Sequence, residues 1–278
     1  MTDWQRLFPD EDFRFRMGLR PGDAASFFEP VHHCTILDQR AAALASHPER
    51  YAAALPDSLP VVDEALRQMS RWSGVPQPQV CAGPGEHCLA AGRAFEPDWV
   101  LLSPDASQNH PILAGVVCFP SSWSLPEKLG LPLAAVHEPA PTVNRRLGGS
   151  IDTFLSRLPA DEPVERENWG LAADAAPDHH PAIPRPRLSA QAKPATTWLR
   201  LERQLLIRLP ETRAVLFAIR ITVHRLDEVA AATGLGARIA RALRTMPPDI
   251  AAYKGLETSR LVLAEELAHL EARPSTQL

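Results

Sequence analysis

The sequence predicts an α+β fold built on a mainly antiparallel sheet, and three observations carry that reading. A strictly alternating stretch from Thr197 to Leu209, a short turn and a strongly apolar stretch from Ala214 to Val223 describe a long β-hairpin. Short helices come early, strands in the middle and helices at the end, without the regular strand–helix alternation of a parallel sheet. Finally, 28 prolines in 278 residues, about twice the roughly 5% typical of proteins, fix turns and interrupt elements. That argues against a helical bundle.

In chain order, the first thirty residues mix Phe8, Phe13, Phe15, Phe27 and Phe28 with Pro9, Pro21 and Pro30, an ordered but irregular arm. Arg40 to Leu55 is alanine-rich with Pro48 inside it, which predicts a short helix, a break and a second short helix. From Val61 to Trp72 apolar residues recur at three- and four-residue spacing, the mark of an amphipathic helix. Gly83-Pro84-Gly85 reads as a turn, Trp99 to Leu102 as a short strand, and Ile112 to Phe119 as a buried strand closed by Pro120. Ser124 to Leu129 and Ile151 to Leu158 read as short helices capped by Ser124 and Ser150. A polar, proline-rich loop then fills residues 174–195, long enough to be a lid, a docking segment or disordered. Beyond the hairpin, helices are expected over Leu226 to Thr245, broken at Gly234-Leu235-Gly236, and over Glu257 to Ala272.

The whole of residues 1–278 reads as one domain with an arm over 1–60 and closing helices over 226–278; 45% apolar residues suffice for its core. A net charge of −4 provides no global field for nucleic acid or anionic membrane. The longest apolar run is far shorter than the ~20 residues needed to span a bilayer. The N-terminus lacks the basic start and apolar stretch of a signal peptide, so a cytoplasmic location is expected. The four cysteines form no CxxC pair and suit neither a zinc ribbon nor an iron–sulfur cluster.

Function must therefore sit in a site, and two groups of residues break the local pattern. Arg203 and Arg220 interrupt apolar strand faces, and a four-residue turn would bring them opposite each other as a carboxylate-binding clamp. Alternatively each pairs with a structural Asp or Glu. Among ten histidines no HExxH occurs. His110 precedes the buried strand, and His137 follows an apolar segment and precedes Glu138-Pro139-Ala140-Pro141. Each is either a hydrogen-bonded core histidine or an axial ligand to a cofactor on the sheet.

Seven motifs in order then form a resemblance. They are Phe13-Arg14-Phe15-Arg16-Met17-Gly18-Leu19-Arg20-Pro21, Val117-Cys118-Phe119-Pro120-Ser121-Ser122-Trp123-Ser124, Glu127-Lys128-Leu129-Gly130, Pro132-Leu133-Ala134-Ala135-Val136-His137-Glu138-Pro139, Arg166-Glu167-Asn168-Trp169, Leu199-Arg200-Leu201-Glu202-Arg203-Gln204 and Tyr253-Lys254-Gly255. Together they resemble the haem-dependent oxidative N-demethylase family, the haem subunit of dimethylamine monooxygenase and its relatives, from about residue 13 to 256. The resemblance implies a PAS-like domain whose sheet holds haem b, and whose iron activates O2 to demethylate a small secondary amine, releasing formaldehyde. It implies His137 as iron ligand, Arg203 and Arg220 as propionate partners, and Glu202 or Glu167 as counter-ion to an ammonium substrate. Two departures stand out: the loop matches no family motif, and Pro139-Ala140-Pro141 replaces the more usual Pro-Val-Pro. The chain has no dinucleotide fingerprint and no iron–sulfur cysteine set. Electrons would come from a separate NADPH-dependent reductase carrying flavin and iron–sulfur centres. The rival reading is a non-enzymatic haem-binding sensor of PAS type, since fold does not fix function.

Overall fold

The expected hairpin lies at the centre of a seven-stranded antiparallel sheet in the computed structural model, which describes residues 3–14, 16–31, 33–137 and 141–271. The strands are β1 (Arg20–Pro21), β2 (Ala52–Ala54), β3 (Asp98–Leu102), β4 (Ile112–Val116), β5 (Val164–Ala172), β6 (Trp198–Arg208) and β7 (Val215–Arg225). They lie in the order β1-β5-β6-β7-β3-β4-β2. The turn between β6 and β7 leaves Leu209 bonded to Ala214 at 2.8 Å, and the ladder sets Arg203 opposite Arg220 as the four-residue turn requires. Glu64, from the helix Leu59–Ser73, stabilises that turn by accepting from the Glu211 and Thr212 backbone N–H groups at 2.7 and 2.8 Å.

Because side chains alternate along a strand, the β5–β6–β7 register sorts them onto two faces. The first face carries Glu165, Glu167, Trp169, Leu199, Leu201, Arg203, Leu205, Ile207 and Arg220. The second carries Arg166, Asn168, Arg200, Glu202, Gln204, Leu206 and Arg208. On the first face, the helices Ala24–Phe28, Leu59–Ser73 and Pro84–Ala94 bury Phe27, Leu66, Met69 and Cys88 against Trp99, Leu101, Leu205 and Leu216. At its other end the closing helices bury Leu226, Ile239, Leu243 and Leu263 against Trp169, Leu171 and Leu199. The second face takes Leu155 of the helix Pro141–Arg157, and Leu158 just beyond its end, onto Val100, Leu102, Leu206 and Val215. Each large side chain so buried contributes about 1.5–3 kcal/mol before entropy is counted.

Several expected elements change. The helix expected from Ile151 extends back to Pro141, and the one over Ser124 to Leu129 is only a 3-10 turn at Pro126–Lys128. Ala52–Ala54 is an edge strand, since pairing with Ala114, Gly115 and Val116 outweighs alanine's helical preference. Gly83-Pro84-Gly85 opens the helix Pro84–Ala94, with Gly83 at its N-cap and Pro84 in the first turn, where a missing N–H costs nothing. The apolar run from Ile112 forms a strand only to Val116, because Asp98 takes the Cys118 and Phe119 N–H groups at 2.7 and 2.9 Å. The closing helix spans Arg260–Glu271, and Ala272 lies outside the described residues. The loop over 174–195 is tied down at several points. Arg200 donates to the carbonyls of Ala176 and Pro177 at 2.7 and 2.9 Å, and Tyr51 donates to Asp178 at 2.5 Å.

Candidate functional site

The second face of the sheet gathers polar side chains where β5 and β6 run side by side. Glu202 lies at the middle of this group. It accepts from Ser121 Oγ at 2.7 Å on one carboxylate oxygen, and from Gln204 Nε2 at 2.7 Å and Asn168 Nδ2 at 3.2 Å on the other. A carboxylate offers about four acceptor positions, so among the described residues roughly one, on the Ser121 side, is left for a ligand N–H. Arg166 lies next to Gln204 across the ladder. Its buried Nε has no hydrogen-bond partner among the described residues, and burial lowers its pKa although Glu202 and Tyr253 act the other way. An orphaned, desolvated guanidinium nitrogen is costly unless an anion meets it.

His137 approaches the same group from the end of the short helix Leu133–Val136, whose Leu133 and Val136 pack on the second-face core. Burial lowers the imidazole pKa, and the neighbouring Arg166 and Lys128 lower it further. The ring is thereby kept neutral, the form that ligates metals. The Glu138-Pro139-Ala140 segment that follows lies outside the described residues. From the C-terminal part, the helix Pro248–Tyr253 brings Tyr253 and Lys254 to the group. Lys254 Nζ donates to the Trp169 carbonyl at 2.5 Å and to Asn168 Oδ1 at 3.3 Å. Burial holds its pKa down to about 8, with Glu202 opposing the shift and Arg166 adding to it. Burial, then the Glu202 charge, raises the Tyr253 phenol, with Arg166 opposing, while its side chain remains half exposed.

Of the residues singled out in the sequence, His137 and Glu202 both feel the Arg166 charge, whereas Arg203, Arg220 and Glu167 lie on the opposite face of the sheet. The two arginines are neighbours as the register requires, but their clamp faces internal partners. Arg203 pairs with Glu165 at 3.2 Å, and Arg220 pairs with Glu96 at 2.5 Å and donates to the Phe27 and Glu29 carbonyls. Both guanidinium groups also sit within 6 Å of the Phe27 ring, at 5.3 and 5.9 Å. Glu167 pairs with Arg6 and Arg20, fastening the N-terminal arm to the sheet. The alternative reading, pairing with structural carboxylates, describes both arginines. His110 is a core histidine, its Nδ1 2.9 Å from the Ser103 carbonyl.

Single-sequence reasoning passed over Arg166, Asn168, Tyr253 and Lys254 as site residues, although all four lie inside the resemblance motifs. The available signal was alternation in Arg166-Glu167-Asn168, which puts Arg166 and Asn168 on one face once the segment is taken as a strand. Among the described residues no three His, Cys, Asp or Glu side chains form a group able to hold a bare metal ion, and no helix is long and apolar enough to cross a membrane.

The family described as haem-dependent oxidative N-demethylase, alpha subunit-like, matches residues 77–264, more than half of the chain. The chain belongs to this family. The N-demethylase match takes in β3 to β7 and with them His137, Arg166, Asn168, Glu202, Tyr253 and Lys254. It starts C-terminal to Phe13, where the motif resemblance begins. The family is haem-dependent and oxidative by its description, and "alpha subunit-like" is the designation of one chain in a multi-subunit enzyme.

Proposed function

We propose that this chain is the haem-carrying component of an oxidative N-demethylase acting on a small secondary amine of the dimethylamine type. The observation that carries the reading is the grouping of His137, whose imidazole pKa is lowered by burial and then by Arg166, with an Arg166 Nε that has no partner among the described residues and the Glu202 carboxylate on the second sheet face. Those residues fit the group. The His137 imidazole would hold the iron, and Arg166 would meet a propionate, an anion for a buried Nε that has no partner among the described residues. In this reading the propionate partner is Arg166, while Arg203 and Arg220 serve the N-terminal arm and Glu167 is not at the site. Strand order supports the PAS-like assignment. Within β3 to β7 the strands lie second, first, fifth, fourth, third, with helices between the second and third packed on the second face.

When bound, haem b supplies iron-based oxidation of the N-methyl group by O2, leaving formaldehyde and the demethylated amine. The chain's own residues bind and orient. Glu202 holds the substrate nitrogen by accepting an N–H in its remaining position, and the Ser121, Gln204 and Asn168 donors fix the carboxylate so that this position does not rotate away. A separate reductase with flavin and iron–sulfur centres, drawing on NADPH, delivers the two electrons.

Two measurements test the reading. The purified chain loaded with haem shows a Soret band that His137→Ala abolishes or shifts by several nanometres; an unchanged band removes His137 as ligand. With a surrogate electron donor, dimethylamine yields formaldehyde; haem binding without product from any small secondary amine would leave the sensor reading in its place.

A further inference from the structure

We propose that Lys254 is a positioning residue for Glu202, acting through the side-chain amide of Asn168. The proposal rests on the reading that Glu202 receives the amine, and it assigns a purpose to a partly buried cation that haem binding does not require. An ammonium group has donors only and a carboxylate has acceptors only. Asn168 stands between the two, with Oδ1 3.3 Å from Lys254 Nζ and Nδ2 3.2 Å from Glu202 Oε2. The reversed amide would turn N–H toward the ammonium and oxygen toward the carboxylate, so one orientation alone satisfies both ends. Without Lys254 that discrimination is lost on one side.

Lys254 is itself anchored by the fold. The helix Pro248–Tyr253 ends with Gly255 in the left-handed region at φ +67, and the Gly255 N–H bonds the Ala252 carbonyl at 2.9 Å. This closure sends Lys254 to the outer edge of β5. There β1 pairs only with Val164 and Glu165, so the Trp169 carbonyl takes the lysine N–H in place of a strand partner. The ammonium also lies 5.2 Å from the centre of the Trp169 indole ring. One side chain thus closes a sheet edge and sets the amide that faces Glu202.

The test reads the amide first and the amine second. In nuclear magnetic resonance spectra of the full chain, the Asn168 side-chain N–H pair, assigned through its loss in Asn168→Asp, is expected to exchange slowly with water. Lys254→Met should speed that exchange at least tenfold while leaving the Gln204 amide within twofold, and Lys254→Arg, which keeps a donor, should stay near wild type. Unchanged Asn168 exchange in Lys254→Met overturns the proposal, as does equal acceleration of the Asn168 and Gln204 amides, which would mean general loosening. Dimethylamine affinity, followed by the haem absorption change, should then fall about tenfold in Lys254→Met and no further when Asn168→Ala is added. Amide exchange as expected together with an affinity indifferent to both Lys254→Met and Glu202→Gln would retain the positioning role and discard the amine-binding reading.

Discussion

Lys254 carries the clearest consequence at the scale of single residues. Its pKa is held near 8 by burial, whereas in the unfolded chain it returns to about 10.4. Below pH 8 both states are protonated and the folded state bears the full cost of the buried charge. Between pH 8 and about 10 the folded chain has released a proton that the unfolded chain retains, so this residue's contribution to stability rises with pH. The expected gain is on the order of 2–3 kcal/mol. Urea midpoints of wild type and Lys254→Met at pH 8 and pH 10 check it: subtracting the variant should leave a rise. The subtraction is needed because burial pushes the Cys88 and Cys118 thiols up to about 12, which lowers stability as pH climbs past the ordinary thiol range.

At the scale of elements, β4 lies against β3 with no spare room at one position. Gly115, opposite Val100, has no room for a side chain: a Cβ there would fall 2.5 Å from the Trp99 carbonyl oxygen and 3.1 Å from Val100 Cα. Backbone cannot step aside as a flexible side chain can, so Gly115→Ala should cost about 1–3 kcal/mol. Thermal unfolding of the variant measures that loss. The elements also show why parts of the fold were legible in the sequence and parts were not. The β6–β7 register followed from period-two alternation and turn length alone, because both are local. Strand β5 was not legible, since Glu165 and Glu167 stand on one face and Arg166 and Asn168 on the other. Charge on both faces erases the apolar period, and it is tolerated because Arg20, Arg203 and Arg6 neutralise the two glutamates from remote parts of the chain. The helix Pro84–Ala94 was hidden by its own start signal, a Gly-Pro-Gly that serves a helix N-terminus as well as a turn.

At the scale of the molecule, buried arginines join segments distant in sequence. Arg40, fully buried, pairs with Asp98 and donates to the Gly92 carbonyl at 2.8 Å, locking the helix His33–Ser46 against β3 and the helix Pro84–Ala94. Arg200 does the same for the long proline-rich loop, through the Ala176 and Pro177 carbonyls. Arg200→Ala should therefore free this loop without unfolding the sheet. Limited proteolysis provides the measurement: cleavage near Arg185 and Arg187 should accelerate at least tenfold while far-ultraviolet circular dichroism stays unchanged. A loop as resistant as in wild type would show that Tyr51 and Asp178 suffice to hold it.

The sequence by itself determined the α+β class, the central hairpin with Arg203 facing Arg220 once its turn is four residues, and, through motifs in order, the N-demethylase family. All of these rest on local periodicity, turn chemistry or linear motif. Only the tertiary structure decided which sheet face each charged side chain looks onto and which partner neutralises it. That choice sends Arg203 and Arg220 to Glu165 and Glu96 and leaves an Arg166 nitrogen without a partner among the described residues. The physical reason is that a buried charge is settled by whatever counter-charge packing brings within a few ångströms, and those partners stand 38 and 124 residues away along the chain.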